Sequence, residues 1–270
     1  MKIYKPTRGR HDGSSFREIL DIWKEKNYCE VIDITEIKST HHDETMWVES
    51  RPWVDGIGEI LLYDNPILDK YHDGLNWKFA LYANTVDHCD NCSSWTFWPK
   101  HPKIHEIVRS EGIPNYDERK FESCFIGTMT THLRNVDWSK SVEHYWMGYA
   151  NEKLFNHKDY LNYLKKHKFG LCLPGVGPKC LRDIELIGLG TVPIFTPGVS
   201  TDYYNKLKKD VHYLYVENPL EVADVIKSCT KEKWEEMSKN CLDWFEQNAS
   251  PLGVFNVTNK IINNFKNGTN

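Results

Sequence analysis

Short apolar runs alternate with amphipathic stretches along most of the chain, a pattern that predicts strands separated by helices. Lys2 to Lys5 reads as a strand, and a polar loop from Arg8 to Gly13 follows it. Ser14 or Ser15 can cap a helix running to about Lys26, because Phe16, Ile19, Leu20 and Trp23 recur at helical spacing. Tyr28 to Ile34 alternates and is β-branched, Glu59 to Tyr63 is a buried-type strand ending at Asp64-Asn-Pro66, and Trp77 to Tyr82 makes one more strand before a long loop through Pro99. A charged stretch from Pro114 to Lys120 then marks a domain boundary, and Phe121 to Ile126 opens a second series of elements. Helical segments with aromatic stripes reach about Lys166, a strand is expected at His212 to Val216, and two helices close the chain around Lys231 to Asn248 and Phe255 to Phe265. Alternation of this kind indicates two α/β halves, each with a mostly parallel sheet, and a cleft between them at the carboxyl ends of the strands.

The run from Phe169 to Phe195 is the most informative segment. Phe169 to Leu173 is a short apolar strand closed by Pro174 and Gly175, and Gly175-Val-Gly-Pro178 leads into an amphipathic helix with Leu181, Ile184 and Ile187 on its buried stripe. Pro178 suits the first helical position because it has no N–H to lose there. Lys179 and Arg182 then fall at the positive end of the helix, where free N–H groups, the helix dipole and two cations would attract a phosphate-bearing ligand. Glu185 lies on roughly the same face as Arg182 and can accept from the two hydroxyls of a ribose, or simply belong to a solvated charged face.

Composition limits the choices. The chain has 270 residues with 34 Lys and Arg against 38 Asp and Glu, a formal net charge of −4, so it carries no field suited to nucleic acid or an anionic membrane. No apolar stretch approaches the roughly 18 residues of a membrane span. The N-terminus has no signal-peptide core, and a cytoplasmic location is the expectation. The 10 Trp, 14 Tyr and 11 Phe suit sugar stacking, cores and protein interfaces equally well. Eight cysteines are scattered, and only Cys89 and Cys92 form a Cys-x-x-Cys pair, which fits a loop thiol pair, a disulfide or, less readily, half of a zinc site. His41, His42, Asp43 and Glu44 are adjacent and rarely converge on one ion without partners from elsewhere. The chain has no Asp-x-Asp pair, which argues for phosphate neutralised by Arg, Lys and helix dipoles rather than by a metal.

Two further positions carry candidate chemistry. Asp64 follows a buried strand, so a carboxylate there suits a general base at the sheet edge, although Asp before Asn-Pro is also a common turn former. Arg134, seven residues beyond Gly127, is positioned to reach a diphosphate or to be an ordinary surface residue.

The segment from Glu59 to Val222 resembles a known group of enzymes. Tyr63-Asp-Asn-Pro66, Ser94-Trp-Thr-Phe-Trp98, Phe125-Ile-Gly-Thr128 with Arg134, and the glycine-rich turn before Arg182 occur in the order found in the protein O-glucosyltransferases of the Rumi type and their capsule-associated relatives, glycosyltransferase family 90. The helix with Arg182 and Glu185, followed by Gly190-Thr-Val-Pro193, is similar to the donor domain of the exostosin group, family 47. Phe-Ile-Gly departs from the Rumi-type Phe-Arg-Gly, and Glu185 follows the exostosin pattern, so the chain stands between the two groups. The resemblance implies a GT-B fold: an acceptor-side α/β domain over 1–118, a nucleotide-sugar donor domain over 119–250, and a C-terminal helix over 251–270 returning to the first.

It also implies an inverting transfer of xylose or glucose from a UDP-sugar to an acceptor hydroxyl on a glycan or glycoprotein, with no metal and no other cofactor. By the same resemblance Asp64 is the catalytic base. Arg134 and Arg182 then match donor-phosphate contacts, and Trp95, Phe97 and Trp98 match the segment lining the sugar or acceptor site; with the glycine-rich turn and helix read above, Gly127, Thr128, Gly175, Gly177, Lys179 and Glu185 are expected around the donor, Lys179 either on the phosphate or facing water. Two other classes stay open on sequence. One is a different sugar-nucleotide enzyme on a Rossmann-like fold, which would need a Gly-x-Gly-x-x-Gly run that Arg8 to Gly13 does not supply. The other is a non-catalytic carbohydrate- or nucleotide-binding protein that uses the aromatics.

Overall fold

The computed structural model describes residues 1–6, 14–34, 53–54, 60–63, 79–83, 92–128, 136–148, 155–175 and 177–268. The described strands form two sheets. The first contains β1 (Lys2–Pro6), β2 (Glu30–Ile34), β3 (Trp53–Val54), β4 (Ile60–Tyr63), β5 (Phe79–Tyr82) and β6 (Cys92–Ser94), in the order β2-β1-β3-β4-β5-β6. Helix α1 (Ser14–Glu25) connects β1 to its parallel partner β2, and its Phe16, Ile19, Leu20 and Trp23 are buried as their spacing predicts. Strand β3 runs antiparallel to both β1 and β4, so this sheet is mixed. Strands β4, β5 and β6 are parallel and in register at one edge, where Tyr63 pairs with Tyr82 and Tyr82 with Ser94.

The second sheet is parallel throughout, with β7 (Phe121–Thr128), β8 (His144–Gly148), β9 (His167–Cys172), β10 (Val192–Phe195) and β11 (Leu214–Tyr215) in the order β11-β10-β9-β7-β8. The interior strand β10, Val-Pro-Ile-Phe, is buried at every residue because both of its faces are covered. Phe169, Leu171 and Leu173, together with Val192 and Ile194, face one apolar cluster that includes Trp234 and Met237. Cys172 and Phe195 face the other, with Ile184, Leu186 and Ile187. Strict alternation divides neighbouring residues between these two layers.

Helices α3 (His157–Leu164), α4 (Leu181–Gly188), α5 (Val222–Ser228), α6 (Lys231–Asn248) and α7 (Pro251–Lys266) complete the described second half. Asn156, Thr230 and Ser250 cap α3, α6 and α7 by accepting from Asp159 N at 2.9 Å, Lys233 N at 3.2 Å and Gly253 N at 3.0 Å. Helix α4 lies close on β9 because Gly170 has no side chain; a Cβ there would meet Leu186 Cδ2 at 2.4 Å. Helix α7 packs against α1, and Trp23 Nε1 donates to Pro251 O at 2.6 Å while Trp95 Nε1 donates to Thr258 Oγ1 at 2.9 Å.

Several expectations change. Residues 144–148 form β8, an edge strand, because aromatic residues spaced along a short segment satisfy a strand as well as a helix. The long loop toward Pro99 contains β6, and a helix α2 (Pro102–Ser110) follows it. Helix α2 packs against α3, and Arg109 Nε donates to Gly188 O at 2.8 Å, so it lies in the second sheet's helical layer. Helix α4 begins at Leu181 rather than Pro178. The Pro178 carbonyl accepts from Ser200 N at 2.8 Å, and Cys180 is extended at φ −119° and ψ 147°. The Asp183 carboxylate then closes the turn by accepting from Cys180 N at 3.0 Å.

Candidate active-site cleft

In the second sheet the chain passes from β7 outward to β8 and then returns to β9 on the opposite side of β7. The order therefore switches direction between β7 and β9, and the region outside the carboxyl ends of those strands is the usual ligand position in doubly wound sheets. The loop from Leu173 to Cys180 and the N-terminus of α4 lie at this edge, because α4 follows β9 directly. Gly175 N donates to Gly177 O at 3.1 Å, a tight turn that returns the chain toward the helix.

Arg182 spans the switch point. Its Nη1 donates to Ile126 O in β7 at 3.4 Å, its Nη2 donates to Leu173 O just beyond β9 at 3.1 Å, and the guanidinium carbon lies 4.4 Å from the Phe125 ring centroid. Gly127 makes room for it: a Cβ there would fall 2.6 Å from Arg182 Nη1 and 2.9 Å from Phe125 Cζ. Burial opposes the Arg182 charge, but the acidic groups of Cys180, Asp183, Cys172 and Tyr160 outweigh it and hold the guanidinium above its ordinary range. Among the described residues the Arg182 Nε has no hydrogen-bond partner. Arg182 is thus a buried cation fixed by backbone carbonyls, rather than an extended surface arm.

Lys179 is also buried, against the expectation that it meets phosphate or water directly. Its Nζ donates to Asp202 O at 2.6 Å and lies 4.7 Å from the Tyr203 ring centroid. Burial lowers its pKa to about 8, with Asp202 opposing the shift. Asp183, at the same helix end, is pushed up by burial, while Arg182 pulls it back. The Asp183 carboxylate also meets the Cys172 thiol, and among the described residues the buried Tyr203 hydroxyl has no hydrogen-bond partner.

Glu185 points elsewhere. Its carboxylate is buried between α3 and the segment leading into α2, where Oε1 accepts from Lys100 N at 3.1 Å and pairs with His157 Nε2 at 3.3 Å; Tyr160 also bonds it. Burial alone would raise its pKa, but the His157 bond and charge hold it below the usual carboxylate range. The ribose role and the solvated face are both replaced by an internal anchor, because this face of α4 meets α3 and the 95–101 segment.

The aromatic segment behaves similarly. Trp95, Phe97 and Trp98 are buried in the core, with Phe16 5.0 Å from Trp95 and 4.7 Å from Trp98 between ring centroids. Their side chains pack under α1 and α7 instead of lining an open surface. The Trp95 carbonyl ties this segment to the loop after β10 by accepting from Tyr204 N at 3.0 Å.

A junction that sequence reasoning did not find joins the carboxyl edges of the two sheets. Ser94 ends β6, in the row it shares with Tyr82 and Tyr63, and its Oγ donates to Asp202 Oδ2 at 3.4 Å. Lys206 Nζ meets Asp202 Oδ1 at 2.9 Å. Asp202 follows β10 by a short polar loop, and nothing in Ser-Thr-Asp-Tyr-Tyr marks it as special without the opposite sheet.

Asp64 and Arg134 lie outside the described residues, as do Cys89 and the His41 to Glu44 run, and nothing is described of the Thr128 side chain. The backbone of β7 carries Thr128 at the strand's carboxyl end beside Gly127. Tyr63, the residue before Asp64, ends β4. Among the described residues no three His, Cys, Asp or Glu side chains converge as a metal site, and no helix is long and apolar enough to cross a membrane.

Fold and site together define an α/β protein with a strand-order switch in its parallel second sheet. The chain is similar to the C-terminal domain of a group 1 family glycosyltransferase from Francisella tularensis, with 10% identity over 56% of this chain and 94% of that one and a TM-score of 0.34. It is also similar to a glycosyltransferase from Rickettsia africae, with 9% identity over 94% of this chain and 82% of that one and a TM-score of 0.45. No protein-family model and no curated protein matches it.

Proposed function

We propose that the protein is a metal-independent, inverting glycosyltransferase of GT-B architecture that moves xylose or glucose from a UDP-sugar to an acceptor hydroxyl on a glycan or glycoprotein. The observation that carries the reading is the placement of Arg182: a buried guanidinium spanning the β7/β9 switch point in the first turn of α4. Cation and helix N-terminus add at one point, and their field favours a diphosphate there. The order of the four sequence motifs supplies the sugar-transfer chemistry.

The donor diphosphate rests at the N-terminus of α4, over the Gly175 to Lys179 turn, with Gly127 and Thr128 at the floor and Arg134 contributing from the β7 to β8 connection. Asp64 accepts the proton of the acceptor hydroxyl as that oxygen forms a bond to the anomeric carbon, and the bond from that carbon to the diphosphate oxygen breaks on the opposite face. Arg182, Lys179 and the helix dipole stabilise the charge gathering on the departing UDP from a buried, preorganised position, so no reorganisation is needed during the step. The reading of a lectin-like binder loses support from the burial of Trp95, Phe97 and Trp98, which leaves those rings unable to form a sugar platform.

The test is UDP release from a panel of UDP-sugars, followed by transfer to glycan acceptors. Asp64→Ala should keep donor affinity within about threefold and lose at least 100-fold in kcat, the usual range for removing a general base. Near-normal turnover in that variant would remove Asp64 from the mechanism. An unchanged UDP titration in Arg182→Ala would sink the donor-site assignment.

A further inference from the structure

We infer that Asp202 is a specificity-determining residue that receives hydroxyl groups of the donor sugar. This rests on the donor-site reading of the cleft. The diphosphate position at α4 is next to Lys179, whose Nζ bonds the Asp202 carbonyl at 2.6 Å, so a sugar attached to the outer phosphate reaches the Asp202 side chain. On the other side, the carboxylate meets Ser94 in the row Tyr63–Tyr82–Ser94, and Tyr63 is the residue before the proposed base. Asp202 therefore stands where a group held between donor phosphate and acceptor-side sheet must pass.

The main chain of Asp202 is fixed while its carboxylate is replaceable. Buried Lys179 holds the carbonyl, the fully buried Tyr203 ring anchors the next residue, and Ser200 Oγ accepts from Asp202 N at 3.2 Å. The carboxylate's own partners are weak. The Ser94 bond is 3.4 Å long, near the limit of a hydrogen bond. The Lys206 side chain is 71% exposed, and an ion pair of that kind is easily exchanged for another partner. Two acceptor oxygens on a side chain that is 30% exposed suit a pair of adjacent sugar hydroxyls, each donating to one oxygen. Neutral sugar hydroxyls can displace Ser94 and leave Lys206 as a counter-charge.

Isothermal titration of the full chain with UDP, UDP-glucose and UDP-xylose tests this. Asp202→Asn should leave UDP affinity within about twofold and weaken the better-bound UDP-sugar about tenfold or more, because one strong acceptor becomes a donor. Ser94→Ala removes the same inter-sheet bond but not the acceptor, and should keep UDP-sugar affinity within about threefold. Asp202→Glu, which retains the charge, serves if the asparagine variant does not fold, and should shift the preference between glucose and xylose donors. Unchanged UDP-sugar affinity and preference in the folded Asp202 variants would overturn the assignment, as would a full loss in Ser94→Ala. Wild-type protein that binds UDP-sugars while Asp202→Asn matches it removes only this inference; wild-type protein that binds none removes the donor-site reading with it.

Discussion

Replacing Glu185 by alanine separates an internal anchor from a ribose ligand. The substitution removes a buried carboxylate that accepts from Lys100 N and is bonded by the Tyr160 hydroxyl, with His157 Nε2 3.3 Å away. A donor left without a partner costs about 1–3 kcal/mol, so the two hydrogen-bonded donors together give roughly 2–6 kcal/mol. At about 2–4 °C per kcal/mol for a chain of this size, the melting midpoint should fall by roughly 4–24 °C. Glu185→Gln keeps an acceptor oxygen and loses the charge, and should cost less than half as much. The sign of the pH dependence follows from the depressed pKa of Glu185 in the folded state. Its stabilisation is complete above the unfolded carboxylate value near 4.5 and is lost as pH falls through the lower folded value, so the Glu185→Ala penalty should shrink in acid. Thermal and denaturant unfolding at pH 7 and in acid, with UDP titration of the folded variant, measure all of this. An unchanged midpoint together with weakened UDP binding would refute the anchor and restore the ribose contact.

Other outcomes follow from the same geometry. Gly127→Ala places a Cβ against Arg182 and Phe125 and should cost about 1–3 kcal/mol while weakening UDP binding, since the guanidinium must move; normal stability and UDP affinity would show that Arg182 has room to spare. His105 and His167 are held neutral by burial, each near pKa 4, below the ordinary 6.5. Their contribution is present above about pH 6.5 and lost toward pH 4, on the order of 2 kcal/mol per histidine at pH 5, so denaturant midpoints should drop steeply between pH 7 and 5. A flat profile over that interval would refute their burial as neutral groups. Trp95→Ala should cost about 3–5 kcal/mol through lost packing and a broken bond to Thr258, with no specific loss of sugar binding in the folded protein; a stable variant that fails only in acceptor binding would return Trp95 to the cleft.

The strand-turn-helix-strand run from β9 to β10 was legible because each part has its own local signal. Phe169 to Leu173 carries the apolar alternation of a strand covered on both faces, Leu181, Ile184 and Ile187 carry a helical stripe, and the glycines and prolines between them exclude either regular element. Strand ends at Tyr63 and Thr128 were legible for the same reason, to within two residues. The helix at 102–110 and the strand at 144–148 were not. Helix α2 is short, and its buried face is built from Pro102, His105 and Val108, two of which are not apolar markers. Strand β8 is an edge strand whose aromatic residues fit either period.

The sequence by itself determined which residues share a face and which strand ends carry chemistry, because periodicity and turn composition are local properties of the chain. It did not determine what each face meets. Glu185 and Arg182 lie near one another on α4, yet one joins Lys100, 85 residues away, inside the helical layer and the other joins β7 to β9 at the cleft. Trp95 shows the same division within one residue, its carbonyl bonded to the loop after β10 and its ring to Thr258 of α7. The Ser94–Asp202 junction exists only because two sheets bring their carboxyl edges together across 108 residues of chain. Long-range packing selects among the faces that local periodicity offers, and at this cleft it turned the expected surface contacts of Lys179, Arg182 and Glu185 into buried supports.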